Sequence, residues 1–179
     1  MRIITENKQA ILFLLKFLSA YFILNVFYGL YIEHYYPLAD PLTRLVSNNT
    51  VRFISLFSEG VSIFNNLNSA NVGIQLNGKT IINIFEGCNS LNVMIVYASF
   101  IIAFTGGLKK TLIFLAGGVA IIYLVNIARV VLLYEVSLYF PDQVYFFHKF
   151  LFTAIIYLFV FVLWYFWIEQ VRKNERRTS

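Results

Sequence analysis

The chain has 179 residues, of which 59% are hydrophobic, 18% aromatic and only 13% charged. A soluble domain of this length needs a charged shell that so few ionisable side chains cannot supply, so apolar residues must face lipid as well as one another. The net charge of +5 does not form a nucleic-acid face. Lys109 and Lys110 separate two apolar runs, and Arg172, Lys173, Arg176 and Arg177 follow the last run, as anchors flanking membrane spans do.

The chain reads as a single membrane domain, 1–179, without internal repeats. A first apolar run covers 10–32. It is too long for a signal-peptide core and lacks a small-x-small cleavage site, so it reads as a retained anchor. Three further runs cover 89–105, 111–133 and 147–168, against the ~20 residues a bilayer crossing takes. Lipid offers no backbone partners, so all four are predicted to be helices. The expected fold class is therefore all-α integral membrane, with about four transmembrane helices.

Between the first two runs, 33–88 holds two smaller elements. Over 51–67, Phe53, Leu56, Phe57, Gly60, Val61, Phe64 and Leu67 share one side of a helical wheel. Arg52, Ser55, Ser58, Glu59, Ser62, Asn65 and Asn66 share the other. This predicts an amphipathic helix lying in the interface or packed on the bundle. The other reading is a fifth span over 44–67, which would place the next segment on the inside. Over 72–84, Asn77-Gly78 stands between alternating segments, a strong hairpin signal. That turn sets Leu76 opposite Lys79 and Ile74 opposite Ile81. Two strands alone are marginal, so the hairpin must pack on something, and the amphipathic helix is the nearest candidate.

Placing the N-terminus inside puts Arg2, Lys8, Lys16, Lys109, Lys110, Arg172, Lys173, Arg176 and Arg177 in the cytoplasm, nine of fourteen basic residues. Only Glu6, Glu169 and Glu175 join them, of nine acidic residues. The positive-inside rule then puts both termini in the cytoplasm and 33–88 outside.

Three residues fall at the outer end of this arrangement. Cys88, the single cysteine, sits where the hairpin runs into the second span; the first turn of a helix favours a thiolate, and the thiolate is the nucleophile. Its plain alternative is a small buried hydrophobe. Arg129 lies eighteen residues past Thr111, roughly 27 Å along a helix, close to the ~30 Å hydrocarbon thickness. Its alternative is snorkelling to headgroups. Asn126 precedes it by three residues and shares its face. His148 opens the last run after Pro141 and Asp142, and its alternative is membership of an aromatic belt with Tyr139, Phe140, Tyr145, Phe146 and Phe147. Together a thiol, an imidazole and a guanidinium supply a nucleophile, a base and a cation for a developing oxyanion, the parts of acyl transfer. One cysteine and two histidines without a carboxylate cluster are too few ligands for a metal.

Cys88 in Glu86-Gly87-Cys88-Asn89-Ser90, Arg129 in Asn126-Ile127-Ala128-Arg129-Val130, and His148 before the last span resemble the motifs of the exosortase/archaeosortase family. The resemblance covers roughly 73–168, and the short length is most similar to the exosortase F (XrtF) branch. It implies a membrane cysteine peptidase or transpeptidase of the bacterial inner membrane, its active site at the extracytoplasmic face. Such an enzyme cuts exported proteins near a C-terminal sorting signal and passes the acyl group to a lipid- or glycan-linked acceptor. Carried over residue by residue, Cys88, Arg129 and His148 are the catalytic set. Asn126 is expected to orient Arg129, Asn89 or Ser90 to cap the helix or donate to the oxyanion, and Glu86 to pair with Arg129 or His148 or to remain a solvated carboxylate. No cofactor is implied. The expected partners are exported protein substrates and membrane lipid, without nucleic acid. The rival reading is a non-catalytic membrane assembly factor of an export or surface-polymer system.

Overall fold

The computed structural model describes residues 8–67, 69–104 and 107–178. Arg2, Glu6 and Thr105, used above for orientation and for the end of the second run, lie outside the described residues, as do the side chains of Glu175, Arg176 and Arg177. Five helices and one antiparallel sheet follow in the order α1 (Lys8–Tyr35), α2 (Pro41–Ile54), β1 (Val61–Asn65), β2 (Asn71–Leu76), β3 (Lys79–Phe85), α3 (Leu91–Ala103), α4 (Leu108–Tyr139) and α5 (Phe152–Thr178). A 3-10 turn, Glu86–Cys88, precedes α3. A second 3-10 turn (Pro141–Gln143), one α turn (Val144–Phe146) and a π-helical turn (Phe147–Leu151) lead into α5.

Three helical stretches are long and apolar enough to cross a membrane: Lys8–Tyr35, Leu108–Tyr139 and Pro141–Lys173. The stretch expected as the second span is a helix of thirteen residues, which rises only ~20 Å. It packs among α1, α4 and α5. A helix that ends inside a bundle leaves carbonyls without partners. Here the buried indole Nε1–H of Trp167 donates to the Phe104 carbonyl at 2.8 Å, just past the end of α3. On its other side α3 meets α4 where the Tyr97 hydroxyl donates to the Phe114 carbonyl at 2.8 Å. Val93, Met94, Tyr97, Ile101, Ile122, Ile156, Val160, Leu163 and Trp167 form the core of the helical part.

The segment 51–67 is not one helix. α2 starts ten residues earlier, at Pro41, because Asp40 caps it: Oδ1 accepts from Leu42 N at 2.9 Å and Thr43 N at 3.0 Å, with proline at the first helical position, where its missing N–H is harmless. α2 ends at Ile54. Gly60 then takes a positive φ of 77°, and a Cβ there would strike the Asn77 side chain. The chain continues as β1, an edge strand beside β2 in the order β1-β2-β3. Residues 61–65 satisfied the helical wheel, but Val61 and Ile63 also alternate with Ser62 and Phe64, and the ladder with β2 supplies backbone partners that an isolated turn of helix cannot match.

The hairpin turns at Asn77-Gly78, with Asn77 at φ 50° and Gly78 at φ 81°. Leu76 pairs with Lys79, but Ile74 pairs with Ile82 instead of Ile81. The extra residue is a bulge on β3, and it sets Ile82 and Ile84 on the buried face beneath Ile74. That face packs on α2 and on α4, in a second core of Val46, Ile54, Ile74, Ile82, Ile84, Cys88, Val130 and Tyr134. α4 therefore continues past the expected end at 133 to Tyr139, because beyond the apolar run the sheet and α2 cover it instead of lipid.

Two adjacent glycines in α4 separate packing from propensity. A Cβ at Gly118 would overlap the Tyr97 ring, whereas one at Gly117 meets nothing within 4 Å. Gly118→Ala is expected to destabilise the protein by about 1–3 kcal/mol, while Gly117→Ala changes stability by less than about 1 kcal/mol, in the favourable direction. Thermal unfolding of the two variants in detergent checks the contrast.

Candidate active site

Three elements deliver the candidate residues to the end of the bundle that carries the sheet. β3 runs directly into the turn Glu86–Cys88 and places the thiol under the sheet, 1% exposed. Cys88 is thus not in the first turn of α3, which starts at Leu91. α4 carries Asn126 and Arg129 one turn apart. The π-helical turn carries His148; the Phe152 N–H reaches back to the Phe147 carbonyl, and the Thr153 hydroxyl donates to the His148 carbonyl at 3.2 Å. Such wide turns offset a side chain from the regular helical pattern and recur at functional sites.

Cys88 Sγ and His148 Nε2 are 3.8 Å apart, within hydrogen-bonding range for sulfur. The Arg129 guanidinium lies near enough to the thiol for its charge to act on it, and its buried Nε–H has no partner. The thiol feels opposed influences. Burial, the largest, pushes its pKa up, a backbone hydrogen bond at Phe85 and then the charge of Arg129 pull it down, and Glu86 adds a smaller upward push. A helix N-terminus was expected to favour the thiolate; desolvation in fact dominates and favours the protonated thiol.

The remaining candidates divide clearly. Asn126, fully buried, does not orient Arg129; its Nδ2 donates to the Cys88 carbonyl at 2.8 Å, and its Oδ1 is left without a partner. Asn89 caps α3 through Oδ1, which accepts from Leu91 N at 2.9 Å. Ser90 sits at a positive φ of 62° with a buried, unpartnered hydroxyl and makes no capping bond. Glu86 is half-buried beside the site, and it forms no ion pair with Arg129 or His148 among the described residues. Reading the sequence alone missed Asp40, Thr43 and Tyr31, which brace Asn89 from α1 and α2. The signal was present in Asp40-Pro41, a capping residue followed by proline at the first helical position. Among the described residues no three of His, Cys, Asp and Glu converge as a metal site would need.

Fold and site define an integral membrane protein with a buried thiol, a half-buried imidazole beside it and an arginine alongside. A family model described as transmembrane exosortase (Exosortase_EpsH) matches residues 8–173. The chain belongs to the transmembrane exosortase family, and so to the membrane-embedded protein-sorting enzymes. No curated protein and no solved structure matches it.

Since Arg129 lowers the thiol pKa, Arg129→Leu removes that pull and moves Cys88 ionisation to higher pH. A rise of one unit leaves about tenfold less thiolate at neutral pH. Alkylation by iodoacetamide, followed from pH 6 to 11, reads this at a single position, because Cys88 is the only cysteine. The expected result is a curve displaced upward, with at least about tenfold slower labelling at pH 7.

Proposed function

We propose that the chain is a cysteine peptidase or transpeptidase of the exosortase F type, cutting exported proteins near a C-terminal sorting signal. The observation that carries this reading is the 3.8 Å approach of Cys88 Sγ to His148 Nε2 with Arg129 on the same thiol. In the proposed sequence, His148 takes the thiol proton and the sulfur attacks the scissile carbonyl. Arg129 stabilises the resulting oxyanion through the guanidinium that lies beside the sulfur. The C–N bond breaks as the imidazolium returns its proton to the leaving amine, leaving a thioester on Cys88. An acceptor amine, or water, then gives a proton to His148 and attacks the thioester, and the thiol is regenerated. The acceptor is lipid- or glycan-linked in this reading, and no cofactor takes part.

The proposed topology follows the charge bias: both termini in the cytoplasm, α3 as a short crossing shielded by its neighbours, and the sheet, α2 and the site outside the bacterial inner membrane. The single domain 1–179 is then one enzyme built around one outer-face site. A substrate helix in the bilayer would present its adjoining outer segment at this depth, which suits a sorting signal next to a transmembrane stretch.

Comparing the C-termini of exported proteins by mass spectrometry, with wild-type chain and with Cys88→Ala, tests the proposal. Shortened or conjugated C-termini are expected with the wild-type chain only, a loss of at least about 10³-fold in the variant. Identical C-termini in both strains would instead support a non-catalytic assembly factor. Arg129→Lys keeps the charge but lacks the planar fork of donors, and is expected to lose activity by about 10²-fold.

A further inference from the structure

Outside the three proposed catalytic side chains, a buried polar network is centred on Asp40. This carboxylate is 3% exposed and has no cationic partner within ion-pair distance among the described residues; the nearby Arg44 directs its Nε–H to the Ala39 carbonyl at 2.9 Å instead. Every neighbour donates to it. Oδ1 accepts from Leu42 N, Thr43 N and, at 3.0 Å, the Tyr31 hydroxyl. Oδ2 accepts from the Thr43 hydroxyl and, at 3.4 Å, from Asn89 Nδ2.

A helix cap needs only the first two of these bonds. Of the rest, the Tyr31 bond ties the carboxylate to α1, and the two to Oδ2 run toward Cys88. Thr43, fully buried, donates its hydroxyl to Asp40 and accepts from Asn89 Nδ2 at 3.1 Å. Asn89 follows Cys88 directly, and its Oδ1 holds the first N–H of α3. Asn126 holds the carbonyl of Cys88 from the other side. The backbone bearing the thiol is thus gripped by α4 at its carbonyl and by α1 and α2 through the neighbouring amide.

We propose that Asp40 and Thr43 are positioning residues, which fix Asn89 and thereby hold the Cys88 thiol in register with His148 and Arg129. The catalytic side of this role rests on the peptidase reading; the positional side does not. A carboxylate accepts from all its neighbours at once, whereas an amide turns one acceptor into a donor that faces donors. Asp40→Asn therefore sets the Thr43 hydroxyl and the Asn89 amide in competition. Thr43→Val, close in shape, removes the bridging hydroxyl and leaves the backbone cap of α2 intact.

The test uses the full chain in detergent and its single cysteine. The alkylation rate of Cys88 is followed against pH for wild type, Asp40→Asn and Thr43→Val, and processing of exported proteins is scored in cells. Groups facing the thiol are His148, Arg129 and Glu86, so the wild-type profile contains a step from His148 as well as one from the thiol. In both variants the expected profile reduces to a single thiol step without the step from His148, with processing lower by about 10–100-fold. A variant that is merely less stable would keep the wild-type shape at reduced amplitude. Thr43→Val with the wild-type profile overturns the proposal, and it decides alone if Asp40→Asn does not accumulate. Altered profiles alongside a wild-type chain that processes nothing would leave the positioning role standing and remove the peptidase reading.

Discussion

A thiol taken out of water resists ionisation, and the account of this protein turns on how that resistance is overcome. Cys88 is buried beneath a small sheet, and desolvation is the largest influence on its pKa. Burial alone would make it an inert packing residue. The guanidinium of Arg129 opposes that effect by its charge without reversing it, and in the proposed mechanism the imidazole of His148, 3.8 Å away, takes the proton. Charges also interact more strongly in a dry site than in water. The burial that opposes ionisation therefore strengthens the arginine once the thiolate or an oxyanion forms.

The fold is arranged to bring these groups together from distant parts of the chain. α4 is long enough to serve two environments, lipid and bundle along its first part, then α2 and the sheet beyond it. The sheet ends where the cysteine turn begins, so the Asn77-Gly78 hairpin and its bulge fix where β3 hands over to Cys88. Short α3 returns the chain into the bundle, its end closed by Trp167 rather than by water. Buried backbone groups at membrane depth need such partners.

Much of this was legible in the sequence because lipid imposes strong patterns. Apolar length marked α1, α4 and α5, and Asn77-Gly78 marked the hairpin. The depth of Arg129 along its helix matched that of Cys88 and His148. What was not legible had specific physical causes. Within 61–65, Val61 and Phe64 fit a helical face while Val61, Ser62 and Ile63 fit a strand, and only pairing with β2 chose between them. The bulge at Ile81 depends on which isoleucines the sheet buries, which is a tertiary matter. The ionisation of Cys88 was misread because two residues separate it from α3 and burial outweighs the helix terminus. Asp40 went unremarked because an acidic residue before proline looks like a cap and nothing more; its contact with Asn89, 49 positions away, has no local signature.

The central claim is that a substrate acyl group becomes attached to Cys88. Purified wild-type chain, mixed with a peptide bearing a C-terminal sorting signal and no acceptor amine, can be quenched in acid at short times and its mass measured intact. The account predicts an added mass equal to the N-terminal part of the peptide, located at Cys88 and released by neutral hydroxylamine, as a thioester requires. The same adduct forms far more slowly, or not at all, in His148→Ala, which lacks the base and acid of the acylation step. A chain whose mass never changes, or an adduct that forms equally well in Cys88→Ser, would contradict it.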